Sequence, residues 1–277
     1  MTRILVTGAT GFIGRALCAD FTDNGWQVTA GDLRQPGWEG ALPGNQVVVH
    51  LAGVAHTRGT PALYEEVNVA ATKRLALAAV RTGVQRFVFV SSIKVNGEAT
   101  PPDRPFRATD APAPQDAYGR SKWRAEQSLA QVPGLDVVVV RPPLVYGPGV
   151  RANFLRLLRL VDTGLPLPFG SIRNRRSLIF LGNLVSLLRR CAEHPGAAGK
   201  TFLAADGEDL STPELVRRMG AALGRAPRLL PFPVFLLPSK LTASLAVDAS
   251  DARDALAWQP PHTVDDALAR TAAWYRA

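Results

Sequence analysis

The residue pattern predicts an α/β fold, a doubly wound parallel sheet with a small lobe built from the C-terminal part. Three observations carry that expectation. Short β-type runs alternate with helical stretches through the first half. The run VVVHL at 47–51 is apolar without alternation, as in a strand covered on both faces. A glycine-rich turn, TGATGFIG at 7–14, joins the first strand to the first helix.

Taken in order, RILVT at 3–7 reads as the first strand and 14–24 as the first helix, ending at Gly25. QVTA at 27–30 is the second strand, ending at Asp32, and 47–51 the third. Pro61 opens a helix that runs to about Thr82 and stops at Gly83, a proline start and glycine stop. RFVFV at 86–90 is the fourth strand, with Ser91 and Ser92 at its end. A proline-rich loop (99–114), a helix near 116–131 and a strand at 137–140 follow. Right-handed crossovers are expected between the parallel strands. After residue 145 the pattern loosens into helices near 153–163, 183–193 and 212–223, with a strand at 201–205. Residues 228–247 are apolar but broken by Pro231, Pro233 and Pro238; a flap packed on a cleft is expected there, in preference to a membrane-surface segment. Residues 1–150 therefore form mainly the sheet domain and 151–277 mainly the lobe, with elements returning to the sheet.

The 277 residues are 47% hydrophobic and 20% charged, with mean hydropathy +0.04, which suits a folded chain with a full core and excludes a disordered one. No uncharged, proline-free apolar run reaches 18 residues, so no membrane insertion is expected. The N-terminus leads straight into the glycine turn and reads as the start of the fold. Cys18 and Cys191 are too few for a disulfide framework, and a reducing cytoplasm is the expected location. The net charge is +9, yet only five of the 32 basic residues are Lys and the arginines are scattered. The densest cluster, 173–176, lacks interleaved aromatics, so no nucleic-acid partner is expected. His194 and His262 have no ligand spacing, and no metal is expected; His50, inside an apolar strand, reads as a satisfied core residue.

Within the glycine turn, Gly8 permits the tight bend, Gly11 lets backbone N–H groups approach a pyrophosphate, and Gly14 allows close helix packing. The positive end of the helix favours the anion. Asp32, at the end of the second strand, can accept hydrogen bonds from an adenosine ribose and would repel a 2′-phosphate. NAD is therefore expected, with NADP possible because Arg34 lies two residues on. Tyr118 and Lys122 stand at i, i+4 on one helix face. A nearby ammonium and a cationic nicotinamide ring would draw the phenol down towards working pH, and Ser92 can donate to the substrate oxygen.

In these motifs the sequence resembles the extended short-chain dehydrogenase/reductases, and within them the nucleotide-sugar epimerase/dehydratase family. TGATGFIG at 7–14, LAG at 51–53, NVAAT at 68–72 (with Ala71 for the usual Gly), SSIKVNG at 91–97, the Tyr118/Lys122 pair and RPPLVYGPG at 141–149 carry the resemblance. It implies a Rossmann-type domain followed by a substrate-binding lobe. It implies a catalytic group of Ser92, Tyr118 and Lys122, the last two also touching cofactor. It further implies a cofactor site lined by Gly8, Thr10, Gly11, Phe12, Ile13, Gly14, Asp32, Leu33, Arg34, Leu51, Ala52, Gly53, Asn68, Val90 and Pro142. Ser92, Lys94, Asn153 and Arg176 are implied on the substrate side, the last two at a diphosphate. The expected activity is hydride transfer at carbon 4 of a UDP-hexose or UDP-N-acetylhexosamine, as a 4-epimerase or a 4-keto reductase of bacterial surface polysaccharide.

Departures narrow the reading. The Asp-Glu pair that a 4,6-dehydratase carries after its hydroxyl is replaced by Ile93 and Lys94, so that elimination is not expected. Asn96 stands where Tyr is usual, and Ser177 follows Arg176 where Asp is typical. His56 is a candidate to face the sugar, without a catalytic role. Helices 61–82 and 115–131 resemble a pair that builds a four-helix homodimer interface. A dinucleotide-binding redox sensor without chemistry is the rival reading; such sensors commonly lose the Tyr or the Lys, and this chain keeps both.

Overall fold

The computed structural model describes residues 2–55, 60–101 and 103–277. His56 lies outside them, so the expectation for its side chain is left there. The chain runs β1 (Arg3–Thr7), α1 (Phe12–Asp23), β2 (Gln27–Gly31), β3 (Val47–His50), α2 (Pro61–Tyr64), a π-helical segment Glu65–Ala70, α3 (Ala71–Arg81), β4 (Arg86–Val90), α4 (Ala117–Ala130) and β5 (Asp136–Arg141). It continues through β6 (Leu144–Tyr146), α5 (Ala152–Asp162), β7 (Arg176–Phe180), α6 (Leu181–Glu193), β8 (Thr201–Leu203), β9 (Asp209–Leu210), α7 (Thr212–Ala222), α8 (Ser239–Thr242), α9 (Ser250–Leu256) and α10 (Val264–Arg276).

Six strands form one parallel sheet in the order β2-β1-β3-β4-β5-β8, as the alternation predicts. The apolar runs of β3, β4 and β5 are covered on both faces. One side packs on α1, α6 and Trp258, the other on α3 and Leu129 of α4. The order reverses at β1, and the crevice outside the carboxyl ends of β1 and β3 is where such sheets bind ligands.

The helix expected at 61–82 begins at Pro61 under a Thr60 cap, but it is interrupted by the π segment that carries Asn68. Three strands absent from the sequence reading, β6, β7 and β9, make a small second sheet. This sheet, α5, α7 and α10 share a separate apolar cluster around Tyr146, Phe154, Phe180 and Met219. Asp206 joins the two parts: it accepts from Tyr146 Oη at 3.0 Å, from Asn183 at 2.8 Å, and from the Phe180 N–H that starts α6. A carboxylate there also favours the positive helix end. α6, β8 and α9 come back to the main sheet.

Residues 228–241 are packed on one side only: Leu229, Leu237 and Leu241 lie against the second cluster, while Phe235 is 85% exposed. Leu245, Ala246 and Val247 are buried, Leu245 and Val247 in a further cluster with Ile93 and Leu203, so only the first part of the expected flap stands open. No helix among the described residues is long and apolar enough to cross a membrane.

Candidate active site

Sterics force the glycine cradle. Gly8 turns with φ +71°, and a Cβ there would lie 2.8 Å from the Ala52 backbone nitrogen. A Cβ on Gly14 would lie 2.1 Å from the Gly8 carbonyl oxygen. These two positions let α1 start directly beneath the β1–α1 turn and bring Leu51 and Ala52 against it, while Gly53 lies beside Asn68 and Lys122. Gly11 is the N-cap of α1 and offers no side chain to its first N–H groups; Phe12, Ile13 and Gly14 form the first turn. Free amides at a positive helix end form an anion site, and the residues present fit a dinucleotide pyrophosphate. The Thr10 carbonyl is taken by Arg15 at 2.8 Å.

Asp32, Leu33 and Arg34 follow β2. Arg34 closes back on Asp32 through two side-chain hydrogen bonds of 2.9 and 2.8 Å, which hold the Asp32 carboxyl at about 2. A carboxylate thus stands at the rim of the cradle, with its partner guanidinium 87% exposed.

Asn68 braces the far wall. Its amide oxygen accepts from Val54 N–H at 2.8 Å, and its nitrogen donates to the Val54 carbonyl at 3.1 Å and to Ser121 Oγ at 2.9 Å. The carboxamide expected at the cofactor is therefore committed to tying the 51–55 loop to α4. The π turn shifts its backbone into that position; such turns recur at functional sites. Behind it, buried His50 contacts Thr7 at 2.6 Å and Thr72 at 2.8 Å. Thr72 gives its hydroxyl proton to the Asn68 carbonyl, so His50 donates from Nε2 and accepts at Nδ1. Burial and the Lys122 charge hold His50 down at about 3, as a neutral core link.

Ser92, Tyr118 and Lys122 converge at the end of β4. Tyr118 hydrogen-bonds the Ser92 hydroxyl, its ring 6.3 Å from that of Tyr64. Lys122 donates to the Val90 carbonyl at 2.9 Å, and its ammonium sits 4.6 Å from the Phe89 ring centroid. Burial brings this lysine down to about 8, partly offset by Glu126. The expected lowering of the phenol by Lys122 is not what the structure shows. Burial raises Tyr118 to about 12, opposed by the Ser92 hydrogen bond, because the ammonium is directed at Val90 and Phe89. Pro142 adjoins the group through its carbonyl, which accepts from Ile93 N–H at 3.0 Å.

Lys94 is held by Glu98 at 3.0 Å and by Asp116, the cap of α4, so the substrate-side cation expected there is already paired. Asn153 lies exposed in the first turn of α5, directly after Ala152, whose φ of +54° is the strained left-handed conformation. The Arg176 guanidinium bonds the carbonyls of Lys240 (3.2 Å) and Ala243 (3.1 Å), and no carboxylate is among its described partners. Asp209 takes Ser177 and pairs with Arg175 at 3.0 Å.

A glycine cradle, a rim carboxylate and a Ser-Tyr-Lys group occupy the carboxyl ends of one parallel sheet. The sequence matches the NAD dependent epimerase/dehydratase family over residues 4–205. The chain belongs to that family. A relative named UDP-glucose 4-epimerase in Vibrio cholerae is 41% identical over 308 aligned positions, covering 97% of this chain and 94% of its own. MoeE5, solved in complex with UDP-glucose and NAD, has a TM-score of 0.81 at 27% identity, covering 99% of this chain and 98% of its own. The UDP-glucuronic acid 4-epimerase of Bacillus cereus, solved with NAD, shares the fold with a TM-score of 0.83 at 20% identity; 99% of each chain is covered.

This family member carries a buried support beneath its catalytic helix that the sequence reading missed. Arg141 donates to Glu126 through Nε at 3.0 Å and through a terminal nitrogen at 2.5 Å; Ser91 also donates to Glu126, at 2.5 Å. Asn96, noted only as a replaced Tyr, accepts from the same guanidinium at 2.9 Å. Glu126 lies one turn beyond Lys122, a helical spacing that signals a shared face but not a partner on β5.

Proposed function

We propose that the protein is an NAD-dependent 4-epimerase of a UDP-hexose or UDP-N-acetylhexosamine, with Ser92, Tyr118 and Lys122 as its catalytic group. The observation that carries this reading is the Tyr118–Ser92 hydrogen bond beside the buried Lys122, at the sheet ends that also hold the glycine cradle. The 41% identical relative named UDP-glucose 4-epimerase supports carbon 4 as the reacting centre. The UDP-glucose and NAD in the MoeE5 complex support the substrate and cofactor classes.

NAD held by the Gly8–Gly14 cradle and Lys122 would supply the hydride acceptor and donor for carbon 4, and its cationic ring would favour the neighbouring phenolate. Tyr118 accepts the proton of the 4-hydroxyl as the hydride leaves, giving a 4-keto sugar. It gives that proton back when the hydride returns to the opposite face. Ser92 hydrogen-bonds the sugar oxygen and the phenol together, so the proton moves along an existing contact. Lys122 keeps a buried positive charge at the end of β4, where it would hold the cofactor ribose. Asp32 with Arg34 favours NAD over NADP. Arg176 and Asn153 receive the diphosphate, Arg176 as a planar fork without a competing carboxylate. Residues 1–150 serve mainly the cofactor and 151–277 mainly the sugar nucleotide, with elements of the second part returning to the sheet. The reading extends to surface-polysaccharide synthesis in a bacterial cytoplasm. It also extends to a homodimer through helices 61–82 and 115–131, where Leu63 and Leu77 are 38% and 39% exposed.

The test runs UDP-glucose and UDP-N-acetylglucosamine with NAD in parallel with a UDP-4-keto-6-deoxy-N-acetylhexosamine with NADH. A new carbon-4 isomer without net NADH change supports the epimerase, whereas stoichiometric NADH loss with the keto sugar alone makes it a reductase. Tyr118→Phe should lower kcat by about 10²–10⁴ and leave NAD binding unchanged. Full retained activity would remove Tyr118 as the acid/base.

A further inference from the structure

Residues 167–171 and 228–232 run side by side. Leu167 N–H donates to the Arg228 carbonyl at 2.8 Å, Leu230 N–H to the Leu167 carbonyl at 2.9 Å, and Phe232 N–H to Ser171 Oγ at 3.0 Å. The inner side of this pair is anchored: Leu167 and Phe169 are buried, and Leu229 and Leu237 pack on the second cluster. The outer side is apolar and open. Leu165 is 60% exposed, Leu230 52%, Phe235 85% and Leu236 61%. Four large apolar side chains left exposed on two paired segments of an otherwise well-packed chain point to an interaction site.

Its charge identifies the partner. Neither 163–177 nor 226–247 contains an Asp or Glu. Arg173, Arg228 and Lys240 are exposed on these segments, with no acidic partner among the described residues. Exposed aromatic and aliphatic tips on segments whose charges are all positive match the interface of an anionic bilayer, where apolar side chains enter the acyl boundary and cations meet phosphates. A second copy of the chain is a poorer fit, since a twofold contact would set the same cations against each other.

We propose that the outer face of residues 165–173 and 228–240 docks the protein on an anionic phospholipid bilayer. The docking stands independently of the proposed reaction. Lys240 at the end of that segment and Ala243 just beyond it supply the carbonyls that hold Arg176, so the docked face adjoins the proposed diphosphate site.

The test is co-sedimentation of the full chain with vesicles of phosphatidylcholine alone and of phosphatidylcholine mixed with phosphatidylglycerol. Partition onto the anionic vesicles should exceed that onto the neutral ones by about tenfold or more and fall as salt rises. The double substitution Phe235→Ser, Leu236→Ser should cut that partition by about tenfold, with thermal unfolding unchanged because both side chains are solvent-exposed. Arg228→Glu with Lys240→Glu should do the same. No partition onto anionic vesicles, or equal partition by the variants, overturns the proposal. So does a self-association that Phe235→Ser, Leu236→Ser abolishes without any vesicle binding, which would assign the surface to a second copy.

Discussion

Replacing Glu126 with Gln tests the support beneath the catalytic helix. The Glu126 and Arg141 side chains are 5% and 4% exposed, and the carboxylate accepts two hydrogen bonds from Arg141 and one from Ser91. A carboxamide keeps the shape but has a single acceptor oxygen and no charge, so a buried guanidinium loses its counter-ion. Removing one member of such a pair costs about 3–5 kcal/mol. At about 2 °C per kcal/mol for a chain of this length, Tm should fall by roughly 6–10 °C. Glu126→Leu combined with Arg141→Met removes both charges and should recover at least half of the loss, since the desolvation cost goes with them. Thermal unfolding of Glu126→Leu, Arg141→Met and their double variant, read as a double-mutant cycle, gives the coupling directly. A second readout is specific to the site. Glu126 raises Lys122, so Glu126→Gln should lower Lys122 further below its usual range and move the alkaline limb of kcat/KM to lower pH. A Tm loss under about 2 °C, or a double variant as unstable as the two single losses combined, would refute the argument.

Three further outcomes are expected. Lys122→Met should abolish turnover yet stabilise the fold at pH 7. Holding this lysine at about 8 against an ordinary 10.5 corresponds to at most about 3 kcal/mol. Because the folded chain releases that proton before the unfolded one does, wild-type stability rises between pH 8 and 10.5 and the gap closes. Urea unfolding at pH 7 and pH 10 checks both signs, and a variant less stable at pH 7 contradicts them. Gly14→Ala drives a methyl to 2.1 Å from the Gly8 carbonyl oxygen and should weaken NAD binding by at least about tenfold, or 1.4 kcal/mol, in a fluorescence titration. Asp32→Ala removes the rim carboxylate and releases Arg34, so preference should move from NAD towards NADP; a wild type that already binds NADPH more tightly sinks the Asp32 argument.

What could be read in advance was local. Valine-rich runs, the glycine turn and a Tyr and Lys one helical turn apart each carry their meaning within a few residues. The main sheet and the Ser92–Tyr118–Lys122 group followed from them. The support beneath the site was invisible for the opposite reason. Arg141 and Glu126 meet only because β5 packs under α4, and Asn96 reaches the pair from a third segment. β6, β7 and β9 were missed because runs of two to five residues satisfy their backbone groups only in each other's company. Nothing in N-V-A-A-T announces a π turn, and nothing in residues 228–247 states which apolar side chains face outward. The paired state of Lys94 likewise depends on Asp116, 22 residues away.

The central claim is that carbon 4 loses and regains a hydride while Tyr118 carries only the oxygen-bound proton. Mass spectrometry of the carbon-4 isomer formed from a UDP-sugar in deuterated water tests it most directly. The account predicts a product with protium retained at carbon 4 and no product from Tyr118→Phe. Deuterium at carbon 4 would mean that a carbon-bound proton is exchanged with solvent, and would contradict it.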